Sequence, residues 1–114
     1  MKLRHLSIHG FRNLSLERIE VHAPLVAFVG ANGQGKTNLL EAIGMLGMLK
    51  SFRTSRPAEL VGWGHTAAQI EASGEGEGMV RTWRWTYQDG QRSLRRDDRN
   101  TDPQSWLASL RASH

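Results

Sequence analysis

Between Gly30 and Thr37 the chain reads G-A-N-G-Q-G-K-T, with three glycines, a lysine and a threonine within eight residues. An apolar run, Leu25–Val29, precedes it, and a segment with helical periodicity follows. These types at this spacing match G-x-x-x-x-G-K-[ST], whose confirming context is a strand before and a helix after. Gly30, Gly33 and Gly35 let the backbone curl with no Cβ in the way. The N–H groups of the loop, including those of Ala31, Asn32 and Gln34, then converge with a helix N-terminus on one anion site. Such a site takes the α- and β-phosphates of a nucleotide. Lys36 supplies a mobile positive charge to the β- and γ-phosphates, and the Thr37 hydroxyl ligates a phosphate-bridging Mg²⁺. The expected ligands are therefore a nucleotide's phosphates and Mg²⁺. An ordinary glycine turn capping a helix is the plain alternative, and the strand–loop–helix context weighs against it.

The flanking segments must position that loop. Lys2–His9 alternates as a strand, with Leu6 and Ile8 on one face and Ser7 and His9 on the other. Gly10–Leu14 predicts a turn or bulge, and Ser15–His22 a second strand whose parity shifts midway. After a break at Ala23 and Pro24, Leu25–Val29 is wholly apolar, as a strand buried on both faces should be. Thr37 to about Leu49 predicts a helix with a broad apolar stripe of Leu39, Leu40, Ile43, Leu46 and Leu49. Gly44 and Gly47 each cost that helix about 1 kcal/mol relative to alanine, so it needs tertiary packing. Lys50–Pro57 predicts a basic loop. Strands are expected near Ala67–Ala72, Met79–Tyr87 and Gln91–Arg95, with a glycine-acid turn at S-G-E-G-E-G and a hairpin at Asp89 and Gly90. Thr101–Ala112 predicts a short helix capped by Thr101 or Asp102, with Pro103 in its first turn and Trp106, Leu107 and Leu110 inward.

At 114 residues the chain is one domain or a piece of one. It has no cysteine, hence no disulfide framework and no thiolate metal site. No secretory leader is legible, and no window approaches the run of about 18 apolar residues that a membrane span requires. A cytoplasmic protein without a membrane partner is expected. The net charge of +4, with twelve Arg to three Lys, weakly favours an anionic partner. His5 and His9 share a strand face but lie roughly 13 Å apart, too far for a common metal. Trp83, Trp85 and Tyr87 share one face, and a stripe at that spacing is expected in the core rather than stacking bases.

Two strands joined by a short turn precede the phosphate loop, so they are antiparallel. With F-R-N ahead of the loop, this is the arrangement of ATP-binding-cassette heads of the structural-maintenance-of-chromosomes type. G-F-R-N-L followed by GANGQGKTNLLEAIGMLGMLKSFRTSRPAELVGWG resembles the amino-terminal part of the RecF family, firmly over about residues 1–65 and loosely beyond. Gly44 stands where a bulky residue is usual, and Met48 and Leu49 where small residues are usual.

The resemblance implies an α/β P-loop ATPase head. Its sheet would be mixed, with antiparallel N-terminal strands, the P-loop with its helix, and a β-hairpin lobe over about 66–96. Residues 1–114 would be the N-terminal part of such a head, with Walker A at 30–37. It further implies an ATP-dependent homodimer that binds DNA at single-strand/double-strand junctions. Together with RecO and RecR, that protein helps RecA replace single-strand-binding protein in recombinational repair, replication and the SOS response. In related heads the arginine of F-R-N, here Arg12, approaches the nucleotide phosphates; a surface arginine at a bulge is the alternative. Arg53 and Arg56 are candidates for phosphate of nucleotide or DNA, or for ordinary surface. A Walker B strand and a signature segment are not legible. Asp97 and Asp98 follow no apolar run and read as a solvated turn. The expectation is thus the first part of a longer chain, without ATP turnover alone. Another head of the structural-maintenance-of-chromosomes or Rad50 kind, or a non-catalytic remnant or interaction module, remains open.

Overall fold

The computed structural model describes residues 2–20, 33–76 and 78–111. Among these residues six strands form one antiparallel sheet: β1 (Lys2–Phe11), β2 (Leu14–Glu20), β3 (Ala67–Gly76), β4 (Met79–Gln88), β5 (Gln91–Arg96) and β6 (Arg99–Asn100). They are ordered β2-β1-β3-β4-β5-β6. Two helices accompany them, α1 (Gly33–Met48) and α2 (Pro103–Arg111), with a 3₁₀ turn at Pro57–Leu60. The hairpin strands therefore continue the sheet that the first two strands begin, because β1 pairs with β3 from Lys2↔Glu75 to His9↔Gln69. The expected strand Leu25–Val29, and with it the parallel part of a mixed sheet, lies outside the described residues.

Strand alternation gives the sheet one apolar and one polar face. Leu6, Ile8, Ile70, Ala72, Trp83, Trp85 and Leu94 form a buried core with Leu39, Ala42, Met45 and Leu46 of α1 and Trp106 of α2. Trp83 and Trp85 are thus core residues, and Trp85 meets Phe11 edge-on at 6.1 Å between centroids. Two indoles also fasten the helices. Trp83 Nε1 donates to Ser109 Oγ (2.8 Å), and Trp106 Nε1 donates to the Leu46 carbonyl (2.8 Å). The Leu46 carbonyl is one of the last four of α1, which a helix leaves without internal partners.

Some boundaries differ from expectation, while the turn at Asp97 and Asp98 and the Asp102 cap agree with it. β3 runs through S-G-E-G of S-G-E-G-E-G, pairing Gly74 with Arg81 and Gly76 with Met79. The first hairpin has two register shifts: one opposite Leu6–Ile8, where β2 carries the extra residue between Leu16 and Ile19 as its shifting parity predicts, and one between Ile8 and Phe11. β1 continues to Phe11, leaving only Arg12 and Asn13 as the turn. Asp97 and Asp98 form a turn in which both residues have positive φ (52° and 65°), returning the chain into the short strand β6. Asp102, rather than Thr101, caps α2 through its carboxylate and the Ser105 N–H (2.6 Å). That bond, with Ser105 also donating from its side chain, lowers the Asp102 pKa. Among the described residues no helix is long and apolar enough to cross a membrane, and no cluster of potential metal ligands occurs.

Candidate functional site

α1 begins at Gly33, so Gly33, Gln34, Gly35 and Lys36 make its first turn, and that turn contains no acidic residue. The first four amides of a helix have no intrahelical acceptor and carry its partial positive charge. Gly30, Ala31 and Asn32 lie outside the described residues. Thr37 follows, half-buried, and then come two buried polar side chains, Asn38 and Glu41.

Glu41 is fully buried on the helix face that also carries Asn38, Leu39, Ala42, Met45 and Leu46. A carboxylate there must be paired. Arg12 grips it with two bonds, Nε to Oε1 (2.8 Å) and Nη2 to Oε2 (3.0 Å). Arg53 Nη1 reaches the same Oε1 at 3.2 Å, and the Ser51 hydroxyl donates to Oε2. Burial pushes the Glu41 pKa up. The hydrogen bonds from Arg12 and Ser51 and the charges of Arg12 and Arg53 outweigh it, and the carboxyl sits below its ordinary value. The same bond to Glu41 raises the Arg12 pKa against the effect of burial.

Each arginine arrives on a turn built for it. Arg12 has φ 54°, a left-handed conformation uncommon outside Gly, Asn and Asp. Its N–H donates to the Leu60 carbonyl (2.7 Å), and the Gly62 N–H donates to the Gly10 carbonyl (2.7 Å). The segment after the 3₁₀ turn therefore lies tightly against the first hairpin. A Cβ at Gly62 would overlap the Arg12 carbonyl oxygen, so only glycine permits this approach. Arg53 is placed by the loop after α1, where Ser51 Oγ accepts from the backbone N–H groups of Arg53 (2.9 Å) and Thr54 (3.1 Å). Asn38 ties the two turns together, donating to Asn13 Oδ1 and accepting from Arg53 Nη1 (2.6 Å).

These groups open on a cleft of about 390 Å³ lined by Arg12, Asn13, Asn38 and Arg53 together with Glu59, Trp63 and His65. The Glu59 carboxylate is engaged by the Thr54 hydroxyl (2.7 Å). Trp63 is completely exposed. The cleft begins beside the P-loop helix, since Asn38 is two residues past Lys36, about 3 Å along the axis. Arg12 and Arg53 are thus brought together on one carboxylate. Arg56 is not: it is exposed ahead of the 3₁₀ turn, and its backbone N–H donates to Thr54 Oγ1 (3.0 Å). Sequence reasoning missed Glu41, Asn38, Ser51 and Trp63. The available signal was the acidic residue inside L-L-E-A-I, which falls on the core face.

The donor set suits a polyphosphate: a helix N-terminus without acidic residues, a lysine in its first turn, and two guanidiniums against one buried carboxylate. Asn38 adds a neutral polar group to the cleft lining.

Comparison with known proteins identifies the relatives of this chain. A family model described as an AAA domain matches residues 5–105. The DNA replication and repair protein RecF of Macrococcus caseolyticus is 48% identical over 71 residues, 62% of this chain and 19% of that protein. RecF of Thermosynechococcus vestitus is 46% identical over 79 residues, 69% of this chain and 21% of that protein. The chain therefore spans about a fifth of the length of these curated relatives. Among solved structures, the recombination mediator protein RecF-ATPrS in the RecFOR pathway aligns at a TM-score of 0.77 and 25% identity, covering 92% of this chain and 29% of that one. A Thermotoga maritima head domain of the structural-maintenance-of-chromosomes type aligns at 0.67 and 18% identity, covering 98% and 41%, a likeness of fold.

Proposed function

From a chain that belongs to the AAA-domain family and carries the amino-terminal region of a RecF protein, we propose that it is the Walker A portion of an ATP-dependent DNA replication and repair protein. The observation that carries this reading is the Arg12–Glu41–Arg53 cluster opening beside the first turn of the P-loop helix. Gly30–Lys36 offer backbone amides to the α- and β-phosphates. Lys36 places its ammonium on the β- and γ-phosphates, and Arg12 adds a fixed guanidinium at the cleft edge. The Thr37 hydroxyl would hold Mg²⁺, and that ion supplies charge neutralisation across the phosphate oxygens.

In this reading ATP works as a clamp: bound nucleotide holds two heads together on gapped DNA, and its loss releases them. RecO, RecR and RecA are the proposed partners in the pathway. Arg53 and Arg56 differ in this scheme. Arg53, tied to Glu41, serves the nucleotide side, while exposed Arg56 is available to DNA phosphate.

Titration of the chain with a fluorescent ATP analogue tests the nucleotide reading. A saturable response that weakens when Mg²⁺ is chelated is expected. No response at millimolar analogue, with the chain folded by circular dichroism, would overturn it.

A further inference from the structure

We propose that Glu41 is a positioning residue for the anion cleft, fixing the planes of the Arg12 and Arg53 guanidiniums so that they meet the phosphates of a bound nucleotide. The inference rests on the nucleotide reading above and assigns a role to a side chain that touches no ligand itself.

Three observations converge. First, Glu41 is fully buried, yet both of its neighbours keep contact with water: the Arg12 side chain is 22% exposed and that of Arg53 29%. Partial exposure spares both guanidiniums the full desolvation cost and leaves them facing the cleft, whereas a packed apolar side chain in place of the buried carboxylate is often no less stable. Second, the grip on Arg12 is bidentate through Nε and Nη2, which fixes the guanidinium plane and hence the direction of the remaining Nη1 donors. Third, Arg12 is held at φ 54°, a conformation its residue type does not favour. Such a site is organised around where the arginine points. Arg53, the second guanidinium on Oε1, lines the same cleft as Arg12.

The electrostatics make the proposal falsifiable in sign. Arg12, Arg53 and Glu41 together carry +1, and Glu41→Gln raises this to +2. If only net charge mattered, the variant would bind a polyphosphate more tightly. Positioning requires the opposite, because freed guanidiniums must be ordered again on binding.

The experiment is a Mg²⁺-dependent titration of the fluorescent ATP analogue against this chain, Glu41→Gln, Arg12→Ala and the double variant, with folding of each checked by circular dichroism. Glu41→Gln is expected to weaken binding about tenfold, the loss of one charge-assisted contact. Arg12→Ala should also weaken it, and Glu41→Gln should cost clearly less in the Arg12→Ala background, where only Arg53 is left to be positioned. Unchanged or tighter binding by Glu41→Gln overturns the inference. So does an equal weakening in the Arg12→Ala background, which would mean general loosening. Should Glu41→Gln not fold, Glu41→Asp keeps the charge but shortens the reach, and affinity equal to wild type would overturn the inference. Wild-type affinity in Arg12→Ala would sink the nucleotide role of Arg12 and this inference with it. A weakened Arg12→Ala beside an unaffected Glu41→Gln would sink the inference alone.

Discussion

Replacing Trp106 with phenylalanine isolates the joint between the two helices. The indole is fully buried, and its N–H satisfies the Leu46 carbonyl in the last turn of α1. Phenylalanine keeps an aromatic ring in the site but leaves that carbonyl without its donor, a cost of about 1–3 kcal/mol. The smaller ring also leaves part of the site unfilled, adding roughly 1 kcal/mol. The expected loss is about 2–4 kcal/mol, a large fraction of the roughly 5–15 kcal/mol that stabilises a typical domain. Urea unfolding followed by far-ultraviolet circular dichroism measures it as a lower midpoint at unchanged slope. Trp63→Phe is the control: that side chain is fully exposed, and its effect should stay within about 0.5 kcal/mol. If Trp106→Phe unfolds within 0.5 kcal/mol of the wild type, the indole does not bear on the helix joint and the packing argument is wrong.

Two further outcomes follow from the helix and its buried carboxylate. Gly47 faces open space, so Gly47→Ala should stabilise the chain by up to about 1 kcal/mol, read from the same urea curves; destabilisation would mean the position is not an exposed helical site. The Glu41 carboxyl is depressed in the folded state, so its contribution is complete above the unfolded value near 4.5 and is lost as pH falls through the folded value. The stability difference between wild type and Glu41→Gln should therefore shrink on acidification below about pH 4.5, and a difference independent of pH would contradict the pairing.

The elements were readable where a single period dominates. Strand alternation in Met79–Gln88 put Trp83 and Trp85 inward, and the Asp89–Gly90 turn has the positive φ values (53° and 76°) expected of a two-residue hairpin. Glycine misled at S-G-E-G-E-G, where cross-strand pairing with Met79–Thr82 overrides a composition that looks like a turn. The α1 terminus was legible only in part. Leu49 takes a left-handed φ of 57° where glycine is favoured, held there by its N–H to the Met45 carbonyl (2.9 Å) and by packing on the core. In the site, the P-loop is a contiguous pattern and announces itself. The Arg12–Glu41–Arg53 cluster joins residues 29 and 12 positions apart, so no local spacing could reveal it. What sequence carries is the cost, a carboxylate on an apolar helix face. The partner that offsets it emerges only when the first hairpin and the loop after α1 fold over that face.

Calorimetric titration of Mg²⁺·ATP into the wild-type chain and into Lys36→Ala tests the central claim most directly. The account predicts weak, saturable binding by the wild type and a drop of roughly ten- to a hundredfold in the variant, the worth of a charge-assisted contact of about 1.5–3 kcal/mol. Identical affinities, or no heat of binding from the folded wild type, would contradict it.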